Sequence, residues 1–165
     1  RFYSVSEIDA WPKPVSNIPI IVGGGGEKLL GMAGRKADIV GINPKIVGRA
    51  INPRSMATAA ADVVDEKIRY IKAGAGDRFD EVELSLQVFV TVVTDDPKGV
   101  AEKYAPAFGL PPEVVLTAPY FQIGSVEQIK ENLIALRERW GINYIAFQQD
   151  ATAAMAPVVA ALSGK

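Results

Sequence analysis

The sequence predicts an α/β fold built on a parallel sheet, and two features of the chain support this prediction. Short apolar segments rich in β-branched residues alternate with segments whose apolar residues recur at helical spacing. A helix candidate follows each strand candidate, which is the order expected for parallel strands joined by right-handed crossovers. The 165 residues suffice for one domain with a hydrophobic core.

The first two strand candidates are short and apolar. Residues 18–22, with the sequence IPIIV, form a run of the kind that is buried on both faces of a parallel sheet. Gly23 to Gly26 end this strand, and residues 27–36 are predicted to form the following helix. Residues 37–42, with the sequence ADIVGI, are the second predicted strand, which Asn43-Pro44 ends.

The remaining elements are predicted from residue spacing and from helix-start signals. They are a helix at 57–73, a strand at 81–93, a helix from Asp96-Pro97 to about residue 108, a short helical piece from Pro111-Pro112, a helix that follows the capping box of Ser125 and Gln128, a strand at 142–147 and a last helix at about 150–162.

Four βα units in 165 residues fit two architectures. A complete (β/α)8 barrel usually needs about 250 residues, so the chain comprises either four of eight such units or a small open sheet. Residues 1–17 are expected to form an entry loop, and residues 18–165 the four units. Because the chain starts at Arg1 and runs into a proline-rich segment, we expect it to come from the middle of a larger protein. A processed amino terminus is the alternative.

The composition excludes several kinds of chemistry. The chain has no cysteine, so it has no disulfide, thiolate nucleophile or thiolate zinc site, which fits a cytoplasmic protein. It also lacks histidine, the commonest general base and metal ligand, and no metal site is predicted. The net charge of −1 gives no long-range attraction for nucleic acid or an anionic membrane. No apolar run approaches 18 residues, and no signal-peptide pattern is present.

The turn of four consecutive glycines, Gly23, Gly24, Gly25 and Gly26, is the sharpest functional signal. Glycines permit positive φ angles and let a ligand approach the main chain, and the first N–H groups of the next helix attract an anion. A phosphate site is therefore predicted, with a tight turn that binds no ligand as the alternative. Lys28 breaks the G-x-G-x-x-G pattern, and no G-K-[ST] sequence follows the turn, so neither common nucleotide fingerprint fits.

Polar residues near the ends of the other strands are further candidates. Asn43 follows the second strand and Lys45 lies two residues on, so both are expected beside the glycine turn at the carboxyl edge of the sheet. The amide can contact a cofactor and the lysine a phosphate; an Asn-Pro turn with a solvated lysine is the alternative. The polar face of Glu83, Ser85 and Gln87 points either into a barrel or to solvent. Gln148 is a weaker candidate.

The stretch IPIIVGGGGEKLLGMAGRKADIVGINP combines four features in a fixed order. A strand at 20–22 is followed by the glycine cluster, by a helix carrying Ala33-Gly34-Arg35, and by a strand that begins with Ala37-Asp38; Trp11-Pro12-Lys13-Pro14 precedes them. Together with the downstream segment IGSVEQIKENLIALRERWGINYIAF, this order resembles the bacterial luciferase-like monooxygenase family, and most of all its branch that uses the deazaflavin coenzyme F420.

The resemblance implies a fold and a cofactor. The chain would be the carboxyl-terminal half of a TIM barrel whose family binds F420 or FMN at the carboxyl ends of the strands. Carried onto this sequence, the phosphate-bearing side of the cofactor would meet Gly24, Gly25, Gly26 and Asn43. Glu27 departs from the family, which often has proline there, and its carboxylate should point away from a phosphate.

The resemblance also implies an activity and partners. The intact protein would transfer a hydride between F420, or a flavin, and a small organic substrate. The family's catalytic residues lie mostly in the amino-terminal half, so the catalytic residues are unknown here and the isolated chain is expected to be inactive. The expected partners are the missing half of the barrel or a second copy of the chain in a homo-oligomer. A self-associating half-barrel without catalysis, or a phosphate-binding domain of another family, is the alternative.

Overall fold

The computed structural model describes residue 4 and residues 6–9, 11–48 and 52–164. The described elements in chain order are β1 (Ile21–Gly24), α1 (Glu27–Lys36), β2 (Ile39–Ile42), α2 (Pro53–Met56), α3 (Ala61–Ala75), β3 (Glu83–Gln87), β4 (Val90–Val93), α4 (Pro97–Phe108), α5 (Pro112–Thr117), β5 (Phe121–Gly124), α6 (Val126–Trp140), β6 (Ile142–Ala146) and α7 (Thr152–Leu162), with short 3-10 turns at Gly76–Glu81 and Gln149–Ala151.

The main sheet has four parallel strands in the order β1-β2-β3-β6. The predicted α/β fold with a parallel sheet is therefore confirmed. Helices lie between the successive strands of this sheet, as the connection of parallel strands requires. Within the described part of the chain, no further strand pairs with the outer edges of β1 and β6.

The two faces of this sheet differ in what covers them. The register aligns Val40 with Leu84 and Ile42 with Leu86, and these four side chains are buried in the main core. Alternate residues point to the opposite face, where Ile21 is 55% exposed and Tyr144 is 44% exposed. One face is therefore packed in the core while the other is largely open.

The strand predicted at 81–93 is two strands in different sheets. The Val88 N–H still donates to the Ala146 carbonyl of the first sheet (2.8 Å), whereas the Phe89 N–H donates to the Tyr120 carbonyl (2.8 Å). From there β4 pairs in parallel with β5, in a separate two-stranded sheet. The sequence analysis did not predict β5, a strand of only four residues that are all buried in the structure.

Helix boundaries follow the local signals in most cases. Residues 27–36 form α1 as predicted. The Asp96 side chain accepts the Gly99 N–H at 3.0 Å, and the reciprocal capping box of Ser125 and Gln128 is present. The helix predicted at 57–73 instead begins at residue 61, because residues 53–56 form their own short helix that Asn52 caps.

Candidate functional site

The carboxyl ends of β1 and β2 lie side by side. They form part of the carboxyl edge of the main sheet, the end at which its parallel strands terminate. The N–H of Asn43, just after β2, donates to the carbonyl of Gly24 at the end of β1 (2.9 Å). The structure therefore brings the glycine turn and Asn43 together, as the strand order predicts. Gln87 ends β3 at the same edge, and Gln148 follows β6; both are exposed. No contact joins either of them to the glycine turn among the described interactions.

Close backbone packing explains one of the four consecutive glycines, Gly25, while Gly23 and Gly24 already belong to β1. A Cβ on Gly25 would lie 2.5 Å from the Asn43 carbonyl oxygen, 2.5 Å from the Lys45 nitrogen and 2.6 Å from the Pro44 carbonyl carbon. None of the four glycines has a positive φ angle, so the part of the sequence argument that rested on left-handed backbone is wrong for this turn. Gly25 is needed because two backbone segments approach each other too closely for a side chain.

The start of α1 offers hydrogen-bond donors to an anion. Gly26 is the N-cap residue in an extended conformation, and no side chain caps the helix. The N–H groups of the first turn therefore remain available, and the helix dipole adds attraction for negative charge. Lys45 lies beside this start, with its Cε 3.9 Å from the position of a Cβ on Gly26. Glu27 brings one exposed carboxylate to the same turn.

The side-chain amide of Asn43 lies over the open face of the sheet. Its Nδ2 atom is 3.0 Å from the position of a Cβ on Gly23 and 3.9 Å from that of a Cβ on Gly41. These two glycines are paired in the register of β1 and β2. Asn43 is half-buried, and its amide makes no hydrogen bond to another described residue. An amide held in this way can donate to, or accept from, a ligand on the open face.

A polar network supports the segment that carries Lys45. The Lys45 N–H donates to Thr58 Oγ1 (2.7 Å), and Thr58 Oγ1 donates to the Ser55 carbonyl (2.7 Å). Two further bonds join the same pair of segments, from the Val47 N–H to Ser55 Oγ (3.0 Å) and from Asn52 Nδ2 to the Val47 carbonyl (2.6 Å). The segment after β2 is thus fixed by side chains of α2 and of the turn that follows it.

A buried lysine completes this network. Lys67, on α3, is 1% exposed; its Nζ donates to the Thr58 carbonyl at 2.7 Å and lies 3.4 Å from the Tyr120 hydroxyl. No carboxylate within the described ranges forms an ion pair with it. Burial lowers the pKa of Lys67 to about 8. The sequence analysis missed this residue, although its spacing from Val64 and Ile71 places it on the apolar stripe of the helix.

The polar face of β3 lies on the open side of the sheet. The register pairs Gly41 with Ser85 and Ser85 with Tyr144, so these side chains share the face that Asn43 overlies. Glu83 and Gln87 are exposed, whereas Ser85 is buried between its neighbours. Small or polar residues therefore occupy the centre of this face.

Other features of the molecule lie apart from this edge. A cavity of about 390 Å³ between α6, β6 and α7 is lined by none of the glycine-turn residues. Trp140 is a core residue, as its helical position predicts, and its Nε1 donates to Asp65 (2.6 Å). Of the helices in the described ranges, none combines the length and the apolar character that a membrane span requires.

Comparison with known proteins identifies the family. The family model described as luciferase-like monooxygenase matches residues 1–158. The chain belongs to the luciferase-like monooxygenase family. The resemblance seen in the sequence is thus confirmed, and a domain of another family is excluded. Among curated proteins, no sequence matches this chain.

Solved structures of similar fold are about twice as long as this chain. An F420-dependent secondary alcohol dehydrogenase is 16% identical, with a TM-score of 0.51 over 83% of this chain and 44% of its own length. The F420-dependent tetrahydromethanopterin reductase of Methanopyrus kandleri is also 16% identical, with a TM-score of 0.49 over 80% of this chain and 45% of its own. The chain thus spans less than half the length of these two proteins.

Proposed function

We propose that this chain is the part of an F420-dependent or flavin-dependent oxidoreductase that binds the phosphate of the cofactor. One arrangement carries the proposal: the uncapped start of α1, the Asn43 amide and Lys45 meet at the carboxyl edge of a parallel sheet. In open and closed parallel sheets alike, ligands bind at this edge. Membership of the luciferase-like family makes an oxidoreductase the reaction class to test.

The residues at this edge fit a phosphate group. The first-turn N–H groups of α1 donate to no side chain, and the lysine beside Gly26 supplies a positive charge. Glu27 opposes this charge, so the phosphate has to be held on the Lys45 side of the turn. The proposed contacts are those of Gly23, Gly24, Gly25, Gly26 and Asn43. F420 is proposed first because the secondary alcohol dehydrogenase of similar fold is F420-dependent, and FMN is the alternative.

The cofactor would supply hydride transfer to or from a small organic substrate. The chain itself would bind and orient the cofactor. The glycine turn would hold the phosphate end, while the Asn43 amide would meet the part of the cofactor that extends over the open face. The catalytic residues stay unknown, and the groups that move a proton would come from outside this chain, as the resemblance to the family implies.

The proposed architecture is the carboxyl-terminal half of a TIM barrel. This architecture is supported by a sheet of four parallel strands that has one open face and whose outer strands, β1 and β6, each pair on one side only in the described part of the chain. Eight such strands close a barrel. The amino-terminal half of a barrel, or a second copy of the chain in a homo-oligomer, would complete the sheet. A self-associating half-barrel without catalysis is the second candidate, and the exposed apolar side chains Ile20 and Ile21 at the β1 edge favour it. A cytoplasmic location stays a prediction from the absence of cysteine.

Binding measurements with and without the phosphate test the main proposal. The chain would be titrated with F420 and FMN, followed by cofactor fluorescence, alongside riboflavin and the deazariboflavin core of F420, which lack the phosphate. We expect each phosphorylated cofactor to bind at least about tenfold more tightly than its phosphate-free partner. The proposal would be refuted if the phosphorylated and the phosphate-free compounds bound with equal affinity. It would also be refuted if neither the chain nor any longer protein that contains it bound F420 or FMN. Light scattering separates the second candidate, since a stable monomer contradicts self-association.

A further inference from the structure

Lys67 is a buried charge without a counter-ion. Its side chain lies in the main core with 1% exposure, and its hydrogen-bond partners among the described residues are a backbone carbonyl and, more distantly, a tyrosine hydroxyl. Burying an ammonium group without a carboxylate partner costs stability, and a methionine of similar length would avoid that cost. The position of Lys67 therefore calls for a role other than stabilisation of the core.

The contacts of Lys67 lead to the glycine turn in three steps. Lys67 Nζ donates a hydrogen bond to the Thr58 carbonyl (2.7 Å), and the Thr58 hydroxyl accepts one from the Lys45 N–H (2.7 Å). The Lys45 nitrogen is in turn one of the backbone atoms against which Gly25 packs. The carbonyl of Thr58 thus faces α3 and its hydroxyl faces the candidate site.

We propose that Lys67 is a positioning residue for the anion site: through Thr58, its ammonium group fixes the backbone of Lys45 on which the glycine turn rests. Lys67 would serve the binding of a cofactor phosphate by this turn. In that respect the inference rests on the proposed function. The positioning itself is a property of the free protein. Lys67 reaches no ligand and takes no part in the chemistry.

Amide hydrogen exchange of the free chain, followed by NMR, tests the positioning. In K67M the Lys45 amide should exchange roughly tenfold faster than in the wild type, because a hydrogen bond that fixes Thr58 is lost. Amides of β3, such as that of Leu86, should keep their protection. The control is K72M, the same substitution at an exposed position of the same helix, which should leave the Lys45 amide unchanged. Unchanged exchange in K67M, or an equal change in K72M, would overturn the proposal.

Thr58 provides a second test that does not depend on how K67M folds. T58V removes the hydroxyl but keeps the shape and the carbonyl, so the Lys45 amide should lose protection by a similar factor. T58S keeps the hydroxyl, so the Lys45 amide should keep its protection. If T58V and T58S protect the Lys45 amide equally, the middle link does not exist and the proposal fails.

Binding of FMN and F420 by the same variants connects the positioning with function. K67M and T58V should weaken binding of the phosphorylated cofactors severalfold more than K72M and T58S do, with little effect on riboflavin. If the wild type binds neither cofactor, the proposed function fails while the exchange data still decide whether Lys67 positions the turn. If the wild type binds and K67M binds equally well, the proposed function stands and the role of Lys67 in it is refuted.

Discussion

Replacing Gly25 with alanine tests whether the turn is closely packed rather than merely flexible. The added Cβ would lie 2.5 Å from both the Asn43 carbonyl oxygen and the Lys45 nitrogen, where real Cβ contacts stay above 3.0 Å. The two backbones must therefore separate by about half an ångström, since neither atom can rotate away. Overpacking of this kind costs roughly 1–3 kcal/mol, and the lower entropy of the unfolded chain offsets about 0.4–1 kcal/mol.

We expect G25A to lower the free energy of unfolding by about 1–2 kcal/mol, or the melting temperature by roughly 2–8 °C in a chain of this size. Urea and thermal denaturation followed by circular dichroism measure both quantities. G31A, inside α1, is the matched control, because a Cβ there meets nothing closer than the Tyr70 carbonyl oxygen at 3.7 Å, and it should keep or raise stability. If G25A proves as stable as G31A, the packing argument for Gly25 is wrong.

Three further predictions follow from single contacts. Burial lowers the pKa of Lys67 from 10.5 to about 8. Between these pH values the unfolded chain binds more protons than the folded protein, so the free energy of unfolding should rise with pH. Urea denaturation between about pH 7.5 and 9.5 should show this rise in the wild type and not in K67M. S125A removes the hydroxyl of the α6 capping box and should cost about 1 kcal/mol in urea denaturation, whereas E131A on the exposed face of that helix should cost less than about 0.5 kcal/mol. D65N weakens the acceptor for the Trp140 indole N–H (2.6 Å) and should shift the tryptophan emission spectrum; an unchanged spectrum would contradict this contact.

Features that depend on neighbouring residues could be predicted from the sequence. The Asp96 cap and the capping box of Ser125 follow from side chains that bond to backbone groups three residues away. The bounds of α1 follow instead from the glycines before it and from the helical spacing of its apolar residues. The meeting of the glycine turn with Asn43 was also predictable, because consecutive parallel strands end at the same edge of a sheet. The contacts of these residues with a cofactor stay a prediction.

The change of partner between β3 and β4 could not be predicted. A hydrophobic alternation that continues through residues 81–93 describes one strand equally well as two, and only the carbonyls of Ala146 and Tyr120 decide where the pairing changes. The strand β5 was missed for a related reason, since its partner β4 lies some thirty residues earlier in the chain. Pairing over such distances leaves no local mark on the sequence.

The sequence by itself determined the α/β class, the family resemblance and the place of the glycine turn, because these depend on periodicity, capping and motif order. The tertiary structure decided why residue 25 is glycine: the backbone from Asn43 to Lys45 packs against Gly25, without any positive φ angle. It also decided that Lys67 is buried and tied to this backbone through Thr58. Both facts arise where segments distant in sequence approach within hydrogen-bond or van der Waals distance, which only the folded chain specifies.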